Sequence, residues 1–246
     1  MKRSLQGNVQ EGLTNQSSIT FGHSTLQNIH QAFYNELNIA YESYLKKQPN
    51  KTNIPFLVNK IPNILPISVA KQAGIIVLGG TFGQTAICSK EKDKVSIELI
   101  RTAIPLPLFT TLDQLVTFIF DNFVNLPNEL IINTAYPIKQ IFRKDKLDGI
   151  LIRTGKTFMI KSLINKFLGE ELENAFLQKY GRYIDITIAN DGLALLLAGK
   201  NHIRTNQLAF GIIGTGINFG FFLKENIAVI LESDMFKLPK DSISKE

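Results

Sequence analysis

Two short segments constrain this chain most. GIIVLGGTFGQTAICSK (74–90) and AFGIIGTGINFGFFLK (209–224) each read as an apolar run, a Gly/Thr turn and a second apolar run. That pattern predicts two β-hairpins whose turns carry no bulky side chain, so backbone N–H groups can approach an anion closely. Between them, ITIANDGLALLLAG (186–199) is an apolar strand that reaches Asn-Asp as a helix begins. Two anion-binding turns with one carboxylate between them point to phosphoryl transfer.

The rest of the chain supports a mixed fold. Apolar residues at helical spacing from Ser24 onward (Leu26, Ile29, Phe33, Leu37, Ala40) predict a helix with Ser24 as N-cap, stopped at Gln48-Pro49-Asn50. Pro55, Pro62 and Pro66 make 55–67 an expected extended connector. A three-strand meander follows (74–77, 85–89, 95–101), then a helix over 111–122 and a strand over 130–134. Residues 149–153 and 157–160 are expected to pair, 161–180 to form one helix, 183–189 a strand and 191–198 a helix. The second hairpin and a strand over 228–231 come last. Residues 1–22 and 237–246 read as polar tails. Three strands, helix, strand, helix, strand is an α/β order, a mixed sheet with flanking helices.

Composition narrows the function classes. The chain has 246 residues, 44% hydrophobic and 20% charged, which is globular. Its net charge of +6 is dispersed, with no basic stripe interleaved with aromatics, so no nucleic-acid partner is expected. The single Cys88 rules out an internal disulfide and a thiolate metal cluster. His23, His30 and His202 have no ligand spacing, so no protein-held metal is expected. No apolar run reaches about 18 residues and the N-terminus lacks a secretory pattern, so neither a membrane partner nor export is expected; the cytoplasm is the expected compartment. The GKT of 155–157 is not a Walker motif, because Gly149 lies one residue too far upstream and the interval is apolar.

Six short motifs, in order, give the chain a family resemblance: LGGT (78–81), TAYP (134–137), RTGKTF (153–158), IANDG (188–192), GTGIN (214–218) and LESDMF (231–236). Over roughly residues 55–236 the chain resembles the hexokinases of the actin, Hsp70 and sugar-kinase superfamily. The resemblance implies a ribonuclease-H-like core with the start of a second similar domain. It divides the chain into a small domain (68–189) and an incomplete large domain (24–60 with 190–236). Asp191 would be the general base toward the sugar hydroxyl. Thr154, Lys156, Asn190, Asn218 and Glu232 would hold the hexose. Gly79, Gly80 and Thr81, with Gly214, Thr215 and Gly216, would cradle the phosphates of ATP, whose Mg²⁺ travels with the nucleotide. Read from the residues alone, Asp191 is equally a helix cap, and the glycines equally plain turns.

The chain also departs from the family. Val77 stands where the family carries an acidic residue that organises Mg²⁺. Phe82 and Gln84 replace polar residues after the first loop, and Ala135 replaces a serine. Hexokinases are much longer, so Phe219, Phe221, Ile227, Val229 and Ile230 are expected to be poorly covered; an interrupted or partial gene product is the expected explanation, with a separate chain completing the large domain as the alternative partner. The implied activity is transfer of phosphate from ATP to a hexose, weak or absent in this chain alone. The alternatives are a non-catalytic sugar-binding or regulatory protein, or an inactive fragment.

Overall fold

A computed structural model describes residues 23–49, 51–54, 56–61, 72–91, 94–143, 146–200, 202–214, 217–232 and 236–237. In chain order the elements are α1 (His23–Leu45), β1 (Phe56–Lys60), β2 (Gln72–Leu78), β3 (Phe82–Glu91), β4 (Lys94–Pro105), α2 (Leu112–Asp121), β5 (Glu129–Thr134), β6 (Ile138–Arg143), β7 (Lys146–Leu151), α3 (Leu168–Tyr180), β8 (Asp185–Asn190), α4 (Asp191–Lys200), β9 (Ala209–Ile213), β10 (Ile217–Lys224) and β11 (Ile227–Leu231).

Alternating side chains decide the first sheet. Alternate residues of β2, β5 and β8 direct aliphatics to one face, Ile76, Leu78, Leu130, Ile132, Ile186 and Ile188, all essentially buried. Helices α2 and α3 cover that face with Leu115, Ile119, Leu172 and Phe176. Each such side chain contributes roughly 1.5–3 kcal/mol on burial. The strand order is β4-β3-β2-β5-β8, with β2, β5 and β8 parallel and β3 antiparallel to both of its neighbours. This is the expected mixed α/β sheet. Helix α2 starts at a capping box in which Thr111 and Gln114 satisfy each other's backbone N–H groups.

The second sheet has the order β1-β11-β10-β9 and is antiparallel throughout. Helix α4 covers one face through Leu193 and Leu196 against Ala228 and Ile230. Helix α1 covers the other, with Phe33 and Leu37 against Val229 and Leu231.

Four local expectations are corrected. Ser24 lies inside α1, one residue after the helix has begun at His23. The expected connector at 55–67 contains strand β1: Phe56, Leu57 and Val58 pair with Leu231, Ile230 and Val229, and the tertiary contact overrides the proline signal. That fourth strand, with α1 across it, buries Val229 and Ile230, although Phe219 stays 40% exposed. The expected pair 149–153 with 157–160 is replaced by the hairpin β6–β7, registered from Ile138–Leu151 to Arg143–Lys146. The single helix over 161–180 is a short 3₁₀ turn followed by α3, because Asn165 takes a left-handed backbone (φ +64°) that no α-helix continues through.

The β6–β7 hairpin carries charge into the interior. Asp148 is fully buried; it accepts from Arg143 Nε (2.7 Å) and from the backbone N–H groups of Gly149 and Gly169 (both 2.7 Å). Glu173 of α3 accepts from Arg143 (3.2 Å), from Lys146 and from the N–H of Ile186 (3.1 Å), and Lys146 also reaches Asp185. Burial opposes the charges on Arg143 and Lys146, yet their carboxylate partners hold both pKa values above the ordinary range. The arrangement clamps the hairpin onto α3 and β8.

Candidate functional site

The site is assembled at the C-terminal ends of the parallel strands, where α/β sheets present their ligands. Leu78, Thr134 and Asn190 lie side by side in the ladder as the last residues of β2, β5 and β8. The chain leaves β2 into the tight turn of Gly79, Gly80 and Thr81, closed by Gly79 N–H donating to the Phe82 carbonyl (3.1 Å). A side chain at position 79 would place Cβ 2.6 Å from that carbonyl, so the turn demands glycine.

Residues 134–136 form the hub. The Ala135 N–H donates to the Leu78 carbonyl (3.0 Å), tying the hub to the first turn. Lys156 Nζ donates to the Ala135 carbonyl (3.4 Å). Lys156 sits in a tight turn with a left-handed backbone (φ +54°), closed by paired bonds between Gly155 and Phe158 (3.0 and 2.9 Å). Phe158 is buried against the Tyr136 ring, and the Tyr136 hydroxyl meets Thr157 Oγ1 at 3.2 Å. Burial pushes the Tyr136 hydroxyl up to about 12, the Thr157 bond offsetting only part of this, so the phenol is neutral at any physiological pH. Thr154 is half-buried just ahead of this turn.

Asn190 and Asp191 stand on the third side of the hub. The Asn190 carboxamide donates to the carbonyls of Tyr136 (3.3 Å) and Thr134 (3.5 Å). Its oxygen accepts from the N–H groups of Gly192 (2.9 Å) and Leu193 (3.4 Å). Asn190 is therefore the N-cap of α4, and Asp191 is the first helical residue, half-buried, with Oδ1 accepting from Gly192 N–H (2.8 Å). The structure thus brings Gly79–Thr81, Lys156, Asn190 and Asp191 around one short segment.

Asn218 and Glu232 belong to the second sheet. Phe219 pairs with Leu231, so Asn218 and Glu232 are neighbours one step along β10 and β11. Both are buried, and the Asn218 carboxamide oxygen has no hydrogen-bond partner among the described residues. An enclosed acceptor without a donor is costly unless a ligand supplies one. Helix α4 links the two groups: Gly192, beside Asp191, packs so tightly on Phe210 of β9 that a Cβ there would lie 2.4 Å from the ring. Gly214 ends β9 in open space, whereas Thr215 and Gly216 lie outside the described residues.

Two polar residues at this end escaped the sequence reading. Asn133 pairs with Val77 across the ladder, and its carboxamide oxygen is buried without a partner among the described residues. Gln140 is buried in β6, and its signal was the alternation with Ile138, which turns both side chains inward. Among the described residues no helix is long and apolar enough to cross a membrane.

No protein-family model and no curated protein sequence matches the chain. Solved structures do. A hexokinase from Schistosoma mansoni, complexed with glucose, superposes with a TM-score of 0.57 at 16% identity, covering 85% of this chain and 54% of that one. Another hexokinase crystal structure matches with a TM-score of 0.50 at 16% identity, covering 87% of this chain and 54% of its own. The chain therefore has the α/β fold of these hexokinases and spans about half the length of the hexokinases it matches.

Proposed function

We propose that this chain binds a hexose of the glucose type and carries the machinery of ATP-dependent phosphate transfer to it. The observation that supports this reading is the convergence of the Gly79–Thr81 turn, Lys156 and the Asn190-Asp191 strand end on residues 134–136. Asn190 caps the helix through two N–H groups, of which Asp191 shares only that of Gly192. In this reading the hexose lies between the two sheets. Thr154, Lys156 and Asn190 contact its hydroxyls from one side, and Asn218 and Glu232 from the other; the bare oxygen of Asn218 accepts from a sugar O–H.

The chemistry is an in-line displacement. The primary hydroxyl oxygen of the hexose attacks the γ-phosphorus of ATP, Asp191 takes the hydroxyl proton, and ADP leaves with the bridging oxygen. The two Gly/Thr loops, Gly79, Gly80 and Thr81 with Gly214, Thr215 and Gly216, would cradle the phosphates; Gly79 contributes by closing its turn onto the Phe82 carbonyl rather than through its own N–H. Magnesium enters as part of the MgATP substrate. Its fit is incomplete, because Val77 offers no donor on the strand that leads into the first turn.

That valine favours a second reading, sugar binding without turnover. Loss of metal organisation impairs phosphoryl transfer more than it impairs hydroxyl recognition.

Titrating glucose against tyrosine fluorescence, with and without MgATP, and measuring glucose-dependent ADP release separates the two. Saturable glucose binding that Asn218→Leu weakens by about tenfold is expected from the loss of one buried polar contact to the ligand. Where turnover is found, Asp191→Asn lowers it by roughly 10²–10⁴ while leaving glucose binding in place. A chain that binds no hexose at all sinks both readings.

A further inference from the structure

Strand β8 is the last strand of its sheet, and its outer edge at the site end is closed by side chains. Within a parallel ladder, one residue of a neighbouring strand accepts from one N–H and donates to the carbonyl two residues earlier. At the end of β8 those groups are the N–H of Asn190 and the carbonyl of Ile188. Both are taken by one carboxamide: Asn190 N–H donates to Gln140 Oε1 (3.0 Å), and Gln140 Nε2 donates to the Ile188 carbonyl (2.5 Å). The same Nε2 donates to the Asp148 carbonyl of β7 (2.6 Å). Gln140 thus imitates a strand residue immediately before Asp191.

Its backbone faces the other way. The Gln140 N–H donates to Asn59 Oδ1 (3.0 Å), and Asn59 is a buried residue of β1 in the second sheet. The Asn59 carboxamide is itself held by its Nδ2, which donates to the Leu57 carbonyl (3.1 Å). A single residue therefore connects β1, β7 and β8, spanning both sheets.

We infer that Gln140 is a positioning residue for Asp191, fixing where β8 ends and α4 begins and tying that point to the second sheet through Asn59. The inference deepens the proposed function and rests on its assignment of Asp191 as the base. Any movement of β1 relative to the first sheet is passed through Asn59 and Gln140 to the peptide that precedes the base. Packing alone does not account for the residue. A leucine fills the same space, but it leaves one buried N–H and one buried carbonyl of β8 unpaired, an expensive outcome.

Gln140→Glu is the discriminating variant. Ionised, it still accepts from Asn190 N–H but sets a carboxylate against the carbonyls of Ile188 and Asp148. Protonated, it donates to one of them and restores the pattern. The charged groups nearby are Asp148 of β7, held by Arg143 of β6, and Lys60 of β1 and Lys139 of β6, which line the same cavity as Gln140.

The test is amide hydrogen exchange across residues 186–193 of the full chain, each variant compared with the unsubstituted chain at the same pH. At pH 8 both Gln140→Glu and Gln140→Leu exchange about tenfold or more faster there, with strands β10 and β11 unaffected; at about pH 5 Gln140→Glu returns to within about threefold and Gln140→Leu does not. Glucose affinity of Gln140→Glu follows the same pH course. Unchanged exchange at 186–193, equal loosening throughout the molecule, or a Gln140→Glu defect indifferent to pH overturns the inference. If the unsubstituted chain fails to bind glucose, the hexose reading falls, and the exchange measurements still decide the role of Gln140.

Discussion

Asn190 and Asp191 divide two tasks that a single sequence cannot separate. Both residue types suit a helix start, and both suit a polar site. The bonds assign the capping to Asn190, whose oxygen meets two N–H groups of α4 while its nitrogen holds the hub. Asn190→Ala is therefore expected to cost about 1–2 kcal/mol of stability, within the range for lost caps and buried hydrogen bonds. Asp191→Asn keeps an oxygen for the Gly192 N–H and gives up only the charge at the helix start, so it should cost less than about 1 kcal/mol. Urea unfolding of both variants measures the difference, and equal losses would remove the distinction. The adjacent Asn-Asp pair could be read from the sequence. Which of the two caps could not, because that depends on the carbonyls of Thr134 and Tyr136, more than fifty residues upstream.

Among the elements, the β6–β7 hairpin separates what is legible in a sequence from what is not. The Gly-Gly-Thr turn between β2 and β3 is visible because its backbone geometry excludes other residues. Strands β5 and β8 are visible because their aliphatic residues alternate. The hairpin is concealed: Arg143 and Lys146 read as surface charge, and only α3 and β8, elements distant in sequence, make them interior. Removing one partner of a buried ion pair strands the other. Arg143→Leu, which leaves the fully buried Asp148 without its cation, should cost about 3–5 kcal/mol in thermal or urea unfolding. Breaking the exposed Lys46–Glu42 pair of α1 by Lys46→Ala should cost less than about 1 kcal/mol. A similar loss in the two variants would show that the hairpin clamp adds little.

For the whole molecule, both sheets leave apolar side chains uncovered, the first along β4 at Val95, Ile97 and Leu99. The first carries α2 and α3 over one face. The second has α4 on one face and α1 on the other, but α1 stops short of the β9–β10 end, where Ile213 is 83% exposed beside Ile217 and Phe219. A contiguous apolar patch of this kind favours association. We expect the chain to self-associate with rising concentration in sedimentation velocity, and Ile213→Lys to shift it toward the monomer. Sedimentation as a monomer over the whole range would show the patch to be inert.

The side chains along β8 have a further effect on assembly. Glu173 takes the N–H of Ile186, and Gln140 takes the carbonyl of Ile188 and the N–H of Asn190 on the same side. These side chains occupy groups that an incoming polypeptide would otherwise pair with, so this part of the β8 edge resists intermolecular zippering without a proline or an exposed lysine to repel it.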